Sequence, residues 1–415
     1  MRVEVVNIGT ELLLGKVTNT HAGYFGEELF KLGLRIQRQT TIPDDDAIRT
    51  VLKEAFPRTD VILVTGGLGP TSDDITREVV AEMLGRKLIL DQGIVDDLKA
   101  FFDKRGYEMS SSNERQAMVP EGAVVLDNPN GTAPGLYVPA VESEGTPHLF
   151  LLPGPPRELR PMTANLVLPK LVELLGPENA PETWHNFRIY GAGESAIADN
   201  LEPKLESIEN LELGYCARLG EVDLRLIGPQ QSIDQAADII RAEYAREIIA
   251  ESEESIESVI VRLLSDRHET VATAESCTGG QIANTITNAA GSSGVFHRGY
   301  VTYANSAKAE LLGVPAELIV KYGAVSDEVV RAMAEGCLAR SGADHALAVS
   351  GIAGPGGGSE EKPVGTVFIA LASKGHDTFS KRHFTPADRI SFKMRVTRLT
   401  LDLLRQHLAG FQLIA

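Results

Sequence analysis

Cysteine is scarce in this chain: three in 415 residues, Cys216, Cys277 and Cys337, far apart and with no Cys-x-x-Cys pair. Such usage argues against a disulfide scaffold and a zinc ribbon. Positive charge is in deficit, with 40 Lys and Arg against 57 Asp and Glu, a net charge of −17 and a sequence pI near 5.1. Binding to nucleic acid draws on clustered cations that displace phosphate counterions, so this balance speaks against it. Long apolar runs are missing as well, none reaching the roughly 18 residues of a membrane span. Residues 3–8 already read as a strand, so no signal peptide is expected, no membrane is expected as partner, and the cytoplasm is the expected address. Neither an internal repeat nor a low-complexity tract is visible.

What is present is ordinary globular material, 43% hydrophobic and 23% charged. At roughly 150 residues per domain the length suggests two or three domains. The first stretch alternates strand and helix: a strand over 3–8, a helix over 19–32 closed by Gly33, a strand over 34–41, a helix to Phe56 capped by Asp44, and an apolar strand over 61–65. Residues 150–154 then lead into a helix through Leu175. Strands that alternate with helices predict a parallel, doubly wound sheet, whose ligands sit beyond the carboxyl ends of the strands. Pro and Gly punctuate 176–181, which reads as a linker. A small α+β module comes next, with a strand over 185–190, a helix after Gly193-Glu194, strands over 211–218 and 222–227, and a helix over 232–249. The acidic run Glu251-Ser252-Glu253-Glu254 reads as a solvated helix start. The last stretch alternates again, from a helix over 256–267 through strands over 270–274, 299–303 and 345–350 to a hairpin and a long closing helix. The expected class is therefore α/β: two three-layer α/β/α domains, 1–175 and 251–415, joined by a small module over 176–250.

Ala274-Glu275-Ser276-Cys277-Thr278-Gly279-Gly280 lies where a strand becomes a helix, expected to begin near Cys277. A serine there is exposed, and amides at a helix start suit the oxyanion of a tetrahedral intermediate. A serine hydroxyl needs a base, and Lys308, on the first turns of a helix from about Ala304, becomes one if burial lowers its pKa. From spacing alone the bland alternative stands beside this: Ser276 as a helix cap and Lys308 as a surface residue. A glycine-rich loop, Val349-Ser350-Gly351-Ile352-Ala353-Gly354-Pro355, continues from an apolar strand and favours an anion-binding nest over a plain hairpin approach. In the first domain, Thr65-Gly66-Gly67-Leu68-Gly69-Pro70-Thr71-Ser72-Asp73-Asp74 offers free amides to a phosphate. Asp73 and Asp74 read equally as helix caps or as Mg²⁺ ligands. Glu11 ends the first strand near the same crevice.

Taken in order, 273–280, 299–303, 323–326, 350–355 and 361–367 resemble the signature set of the nicotinamide mononucleotide amidohydrolase family, over essentially all of 255–410. The resemblance implies hydrolysis of nicotinamide mononucleotide to nicotinate mononucleotide and ammonia, with no cofactor in this domain. It implies Ser276 as nucleophile, with Tyr303 and Lys308 beside it and Arg389 on substrate; Ala387 stands where the family commonly has Gly. The accompanying roles are Lys308 as proton acceptor and later donor, Tyr303 hydrogen-bonded within the dyad, and the Thr278 and Gly279 amides on the oxyanion, with Ser350, Gly351 and Gly354 lining the substrate. Cys277 is expected to pack inward. The first half resembles the molybdopterin-binding fold family through Thr-Gly-Gly-x-Gly-Pro-x-x-Asp-Asp. Together with Gly9-Thr10-Glu11, Asn19-Thr20, Asn128-Pro129-x-Gly131-Thr132-Ala133-Pro134-Gly135 and Leu152-Pro153-Gly154-Pro155-Pro156-x-Glu158, the whole length resembles the competence/damage-inducible CinA family. That resemblance implies an ADP-ribose pyrophosphatase dependent on Mg²⁺ or another divalent cation, with Glu11, Asp73 and Asp74 as metal ligands and Asn19, Gly67 and Gly69 on substrate. His21 replaces the Asn usual after Asn19-Thr20. The middle module is KH-like by resemblance, yet Gly191-Ala192-Gly193-Glu194 is acidic where an RNA-binding loop would be basic. Small-molecule nucleotides are the expected partners and a homodimer the expected assembly. Two other readings remain: a molybdopterin-binding protein, and a non-enzymatic competence or DNA-damage adaptor.

Overall fold

The computed structural model describes residues 1–176 and 183–414. They fall into two units, Met1–Glu182 and Thr183–Ala415. Most of the expected linker, residues 177–181, lies outside the described residues. Among the described residues no helix is long and apolar enough to cross a membrane.

Unit 1 is built on a six-stranded sheet in the order Ile36–Ile42, Val3–Ile8, Val61–Thr65, His148–Leu152, Gly135–Val138 and Val124–Leu126. The first four strands run parallel and the last two pair antiparallel. Val3–Ile8 and Val61–Thr65 are buried at every position. Their apolar runs are explained by the pleat, which sends alternate side chains to opposite faces. Val6, Ile62 and Val64 join Ile48, Leu52 and Val80 in one core, whereas Val3, Val5 and Leu63 join Phe25, Leu29 and Leu171 in another. Two helical layers thus sandwich the sheet, as expected. Asp44 departs from expectation. The helix Ala47–Ala55 starts later, and its first amide is met by Asp45 at 2.8 Å. Asp44 instead accepts the Thr10 amide at 2.8 Å and the Thr10 hydroxyl at 3.0 Å, pinning the turn that carries Glu11.

Unit 2 contains two sheets. The first is antiparallel, in the order Glu212–Ala217, Glu221–Ile227, Trp184–Tyr190 and Ile248–Ala250, with helices Glu194–Leu205 and Gln230–Tyr244 on its core. The helix expected over 232–249 stops at Tyr244, because Ile248–Ala250 is claimed as an edge strand by Trp184–Tyr190. The acidic run is solvated as expected, with Glu251, Ser252 and Glu253 exposed, and it is also tied back to the module. Arg188 donates to the Glu253 and Glu254 carbonyls at 3.0 Å each, and Arg241 grips the Glu251 carboxylate at 2.8 Å.

The second sheet runs Phe296–Val301, Val271–Glu275, His345–Gly351, Thr366–Ser373, Phe379–Phe384. Its first three strands are parallel and the rest antiparallel. Ile256–Arg267, Gln281–Thr287 and Arg389–Leu408 cover one face; Asn305–Leu312 and Asp327–Ser341 cover the other. Arg405, almost fully buried, donates to the Ile248 carbonyl at 2.9 Å and so ties the closing helix to the smaller sheet.

Candidate active site

The strand Val271–Glu275 is buried throughout and ends in a carboxylate with no exposure. That carboxylate organises the turn after it. Glu275 Oε2 accepts the Thr278 hydroxyl at 2.6 Å and the Gly280 and Ile282 amides at 3.0 Å each, while Oε1 accepts the Ala283 amide at 2.8 Å. Glu275 therefore satisfies the donors at the helix start, a favourable place for negative charge. The helix begins at Gln281 and not near Cys277. Between strand and helix the chain bends sharply, with Gly279 and Gly280 at φ +64° and +94°, values that side chains rarely tolerate.

Ser276 opens that turn. Its Oγ accepts the Lys308 ammonium at 3.2 Å. Lys308 sits on the first turn of Asn305–Leu312 with 1% exposure, and its Nζ also reaches the carbonyls of Thr302 at 2.9 Å and Tyr303 at 3.4 Å. Burial pushes its pKa down. No carboxylate pairs with it among the described residues, and the smaller opposing influence of the neighbouring Cys277 does not reverse that push. Cys277, beside the serine, belongs to the apolar core, and burial drives its thiol up to about 12. It packs inward and is no rival nucleophile.

Two expected roles change. Tyr303 is 58% exposed, and its hydroxyl accepts the Arg389 guanidinium at 2.8 Å. Its side chain does not enter the dyad; only its carbonyl touches Lys308. The Gly279 amide points back to the Ser276 carbonyl at 3.2 Å, closing the turn, and is committed there instead of standing free for an oxyanion. Thr278 is fully buried, its hydroxyl held by Glu275.

The glycine-rich loop meets the same mouth. Arg389 donates to the Gly354 carbonyl at 2.9 Å, so Tyr303, Arg389 and Gly354 form one connected rim. Ser350 is buried and donates to the Ala324 carbonyl at 2.6 Å, which fixes the loop base. A Cβ at Gly351 would come within 2.9 Å of Val367, and one at Gly354 within 2.6 Å of Val364. Packing is what these two glycines serve in this arrangement. Sequence reading missed the organising role of Glu275. The available signal was a lone carboxylate ending an otherwise buried strand, immediately before the glycine turn.

In unit 1 the expected residues are dispersed around the sheet's carboxyl end. Gly66 and Gly67 turn at positive φ, and a Cβ at Gly67 would collide with the Thr76 hydroxyl. Asp74 accepts the Thr71 amide at 2.9 Å, and a side chain at Gly69 would strike it. Asp73 is exposed, and the Thr71 hydroxyl donates to Asp74. Neither aspartate caps Thr76–Met83, whose N-cap is Ile75. Asn19 accepts the His21 amide at 3.0 Å, at the start of the helix His21–Phe30. Glu11 is exposed. Among the described residues no three His, Cys, Asp or Glu side chains are gathered to hold a metal, so Glu11, Asp73 and Asp74 do not form a preformed centre. Glu158, to which sequence reading assigned no role, is buried, accepts the Asn128 amide at 2.9 Å and would be struck by any side chain at Gly131. Both motifs were visible; what joins them is tertiary.

A buried lysine on a serine at a strand–helix turn defines a serine–lysine site on an α/β sheet. The chain belongs to the CinA family. Residues 253–408 match the CinA C-terminal domain, 185–264 the damage-inducible protein CinA KH domain, and 4–173 the family described as "Probable molybdopterin binding domain". It is 48% identical over 401 residues to a CinA-like protein of Akkermansia muciniphila, covering 97% of this chain and 96% of that one. A CinA-like protein of Citrifermentans bemidjiense is 41% identical over 412 residues, with 98% of each chain covered. The crystal structure of competence/damage inducible protein CihA from Agrobacterium tumefaciens is 41% identical and covers 38% of this chain and 97% of its own, with a TM-score of 0.36.

Proposed function

We propose that the site in unit 2 hydrolyses the carboxamide of nicotinamide mononucleotide to nicotinate mononucleotide and ammonia. The observation that carries this reading is the 3.2 Å contact from a buried Lys308 amine, with no carboxylate partner among the described residues, to the Ser276 hydroxyl. Desolvation favours the neutral amine, which takes the serine proton as Oγ bonds to the amide carbon. The resulting lysine ammonium protonates the departing nitrogen, leaving an ester on Ser276 and releasing ammonia. Water then attacks the ester, giving its proton to Lys308; the carboxylic acid departs and the serine is restored. One amide and one water become one acid and one ammonia. Arg389 and Tyr303, linked at the rim, orient the substrate. The test is to incubate the full chain with nicotinamide mononucleotide and separate the products. Nicotinate mononucleotide and ammonia in equal amounts are expected; an unchanged substrate would defeat the reading.

A second reading concerns unit 1. We propose that it takes a nucleotide pyrophosphate, ADP-ribose, and cleaves it to AMP and ribose 5-phosphate. Its support is the crevice at the sheet's carboxyl end, where Gly66 and Gly67 turn at positive φ just before the helix Thr76–Met83, the kind of glycine turn at which phosphates are held. Since its carboxylates do not converge, a divalent cation has no resident three-ligand seat among the described residues, and no step is assigned to one. Turnover of ADP-ribose with Mg²⁺ and with chelator tests this reading; no AMP under either condition would end it.

A further inference from the structure

Two cations stand on one face of the closing helix beside the serine turn. Arg389 opens the helix Arg389–Leu408 and Lys393 comes one turn later, a spacing that sets their side chains next to each other. Lys393 Nζ lies 3.7 Å from where a Cβ on Gly279 would stand, which places the ammonium against the turn that carries Ser276. Neither cation has a carboxylate partner among the described residues. Arg389 is spent on a carbonyl and a hydroxyl. The nearest acid in sequence, Asp388, caps the helix through the Ile390 and Ser391 amides. Glu275 is occupied by Thr278, Gly280, Ile282 and Ala283. Other lysines of this chain of net charge −17, among them Lys31, Lys170 and Lys374, pair with carboxylates. Like charges one turn apart repel, and a half-buried ammonium gives up hydration, unless an anion lies between them.

We infer that Lys393, together with Arg389, binds the phosphate monoester of the substrate, so that the site selects phosphorylated over unphosphorylated nicotinamide ribosides. The inference rests on the amidase reading and names the group that reads the substrate's far end. A dianion bridging an ammonium and a guanidinium gains charge-assisted hydrogen bonds to both. Lys393 is thereby a specificity residue, distant from the scissile amide in role though close to the serine turn in space.

The test separates binding from turnover. Affinities of full-length Ser276→Ala for nicotinamide mononucleotide and for nicotinamide riboside are measured by calorimetry, and again with Lys393→Ala or Lys393→Arg added. The phosphorylated ligand is expected to bind about tenfold more tightly or better, the scale of one charge-assisted contact. Lys393→Ala should remove most of that preference by weakening the nucleotide alone, and Lys393→Arg should retain most of it. A preference that survives Lys393→Ala, an equal loss for both ligands, or no preference in the parent would overturn the assignment. Failure of the amidase reading looks different: preferential, Lys393-dependent binding with no ammonia released by the unaltered chain.

Discussion

Glu275 accepts the Thr278 hydroxyl at 2.6 Å, with both side chains fully buried, and Ser276 is held between them in sequence. The same carboxylate takes three amides of the turn and helix start beyond. Thr278→Val deletes one hydrogen bond to a charged acceptor, which on general grounds is worth about 1.5–3 kcal/mol. Its unfolding free energy should fall by that measure and its urea midpoint with it, and ammonia release should fall as the turn loosens. An unchanged midpoint would mean that the Glu275 cluster does not brace the turn.

Tyr303 and Arg389 are joined at 2.8 Å outside the dyad. Tyr303→Phe removes the acceptor and leaves the backbone carbonyl that Lys308 contacts. The expected result is a rise in KM of a few-fold with kcat nearly unchanged, read from initial rates. A collapse of kcat at constant KM would instead return the tyrosine hydroxyl to the chemical step.

Cys277 is buried with its thiol pushed up to about 12, while Cys216 is exposed. A thiol of that kind carries almost no thiolate near neutrality. Iodoacetamide at neutral pH should alkylate Cys216 and spare Cys277, as mapped by peptide mass, without loss of amidase rate. Inactivation that tracks with Cys277 labelling would contradict the assignment of Ser276.

The lowered pKa of Lys308 has a definite sign in both rate and stability. A base acts in its neutral form, so kcat/KM should rise with pH and level off below the ordinary lysine value of 10.5. Between the lowered folded value and 10.5 the unfolded chain binds more protons, so the penalty of burying the amine shrinks as pH rises. Lys308→Met carries no such penalty. Its stability relative to the parent should therefore be most favourable at neutral pH and fall as the medium becomes alkaline, in paired urea titrations. A gap that does not change with pH would show that the amine is not desolvated.

Much of the architecture was legible because apolar periodicity alone specifies it. The strand Val61–Thr65 and the helix Ile256–Arg267 have the bounds their sequences predict. Misplaced boundaries share a cause: a distant partner outbid the local signal. Glu275 delayed the helix after Ser276 by supplying its cap from the preceding strand, and Trp184–Tyr190 drew Ile248–Ala250 out of a helix and into a sheet. Asp44 looked like a cap, yet the amide and hydroxyl of Thr10 claimed it. Ser276 and Lys308 could be picked out by residue type and by their places at strand ends. Their pairing was expected from a serine's need of a base and from the family resemblance; the contact itself spans 32 positions and is made by the parallel pairing of Val271–Glu275 with Phe296–Val301, which brings the two turns together. Lys393 gave no local signal, and only the packing of the closing helix on the serine turn reveals it.

The most direct measurement is a double-mutant cycle on ammonia release from nicotinamide mononucleotide, using Ser276→Ala, Lys308→Ala and the pair. Groups that act as a unit lose their effect together. Each single variant should fall by roughly 10³-fold or more and the double variant should be no slower than either. A single variant with the parent's rate, or losses that multiply in the double, would contradict the account.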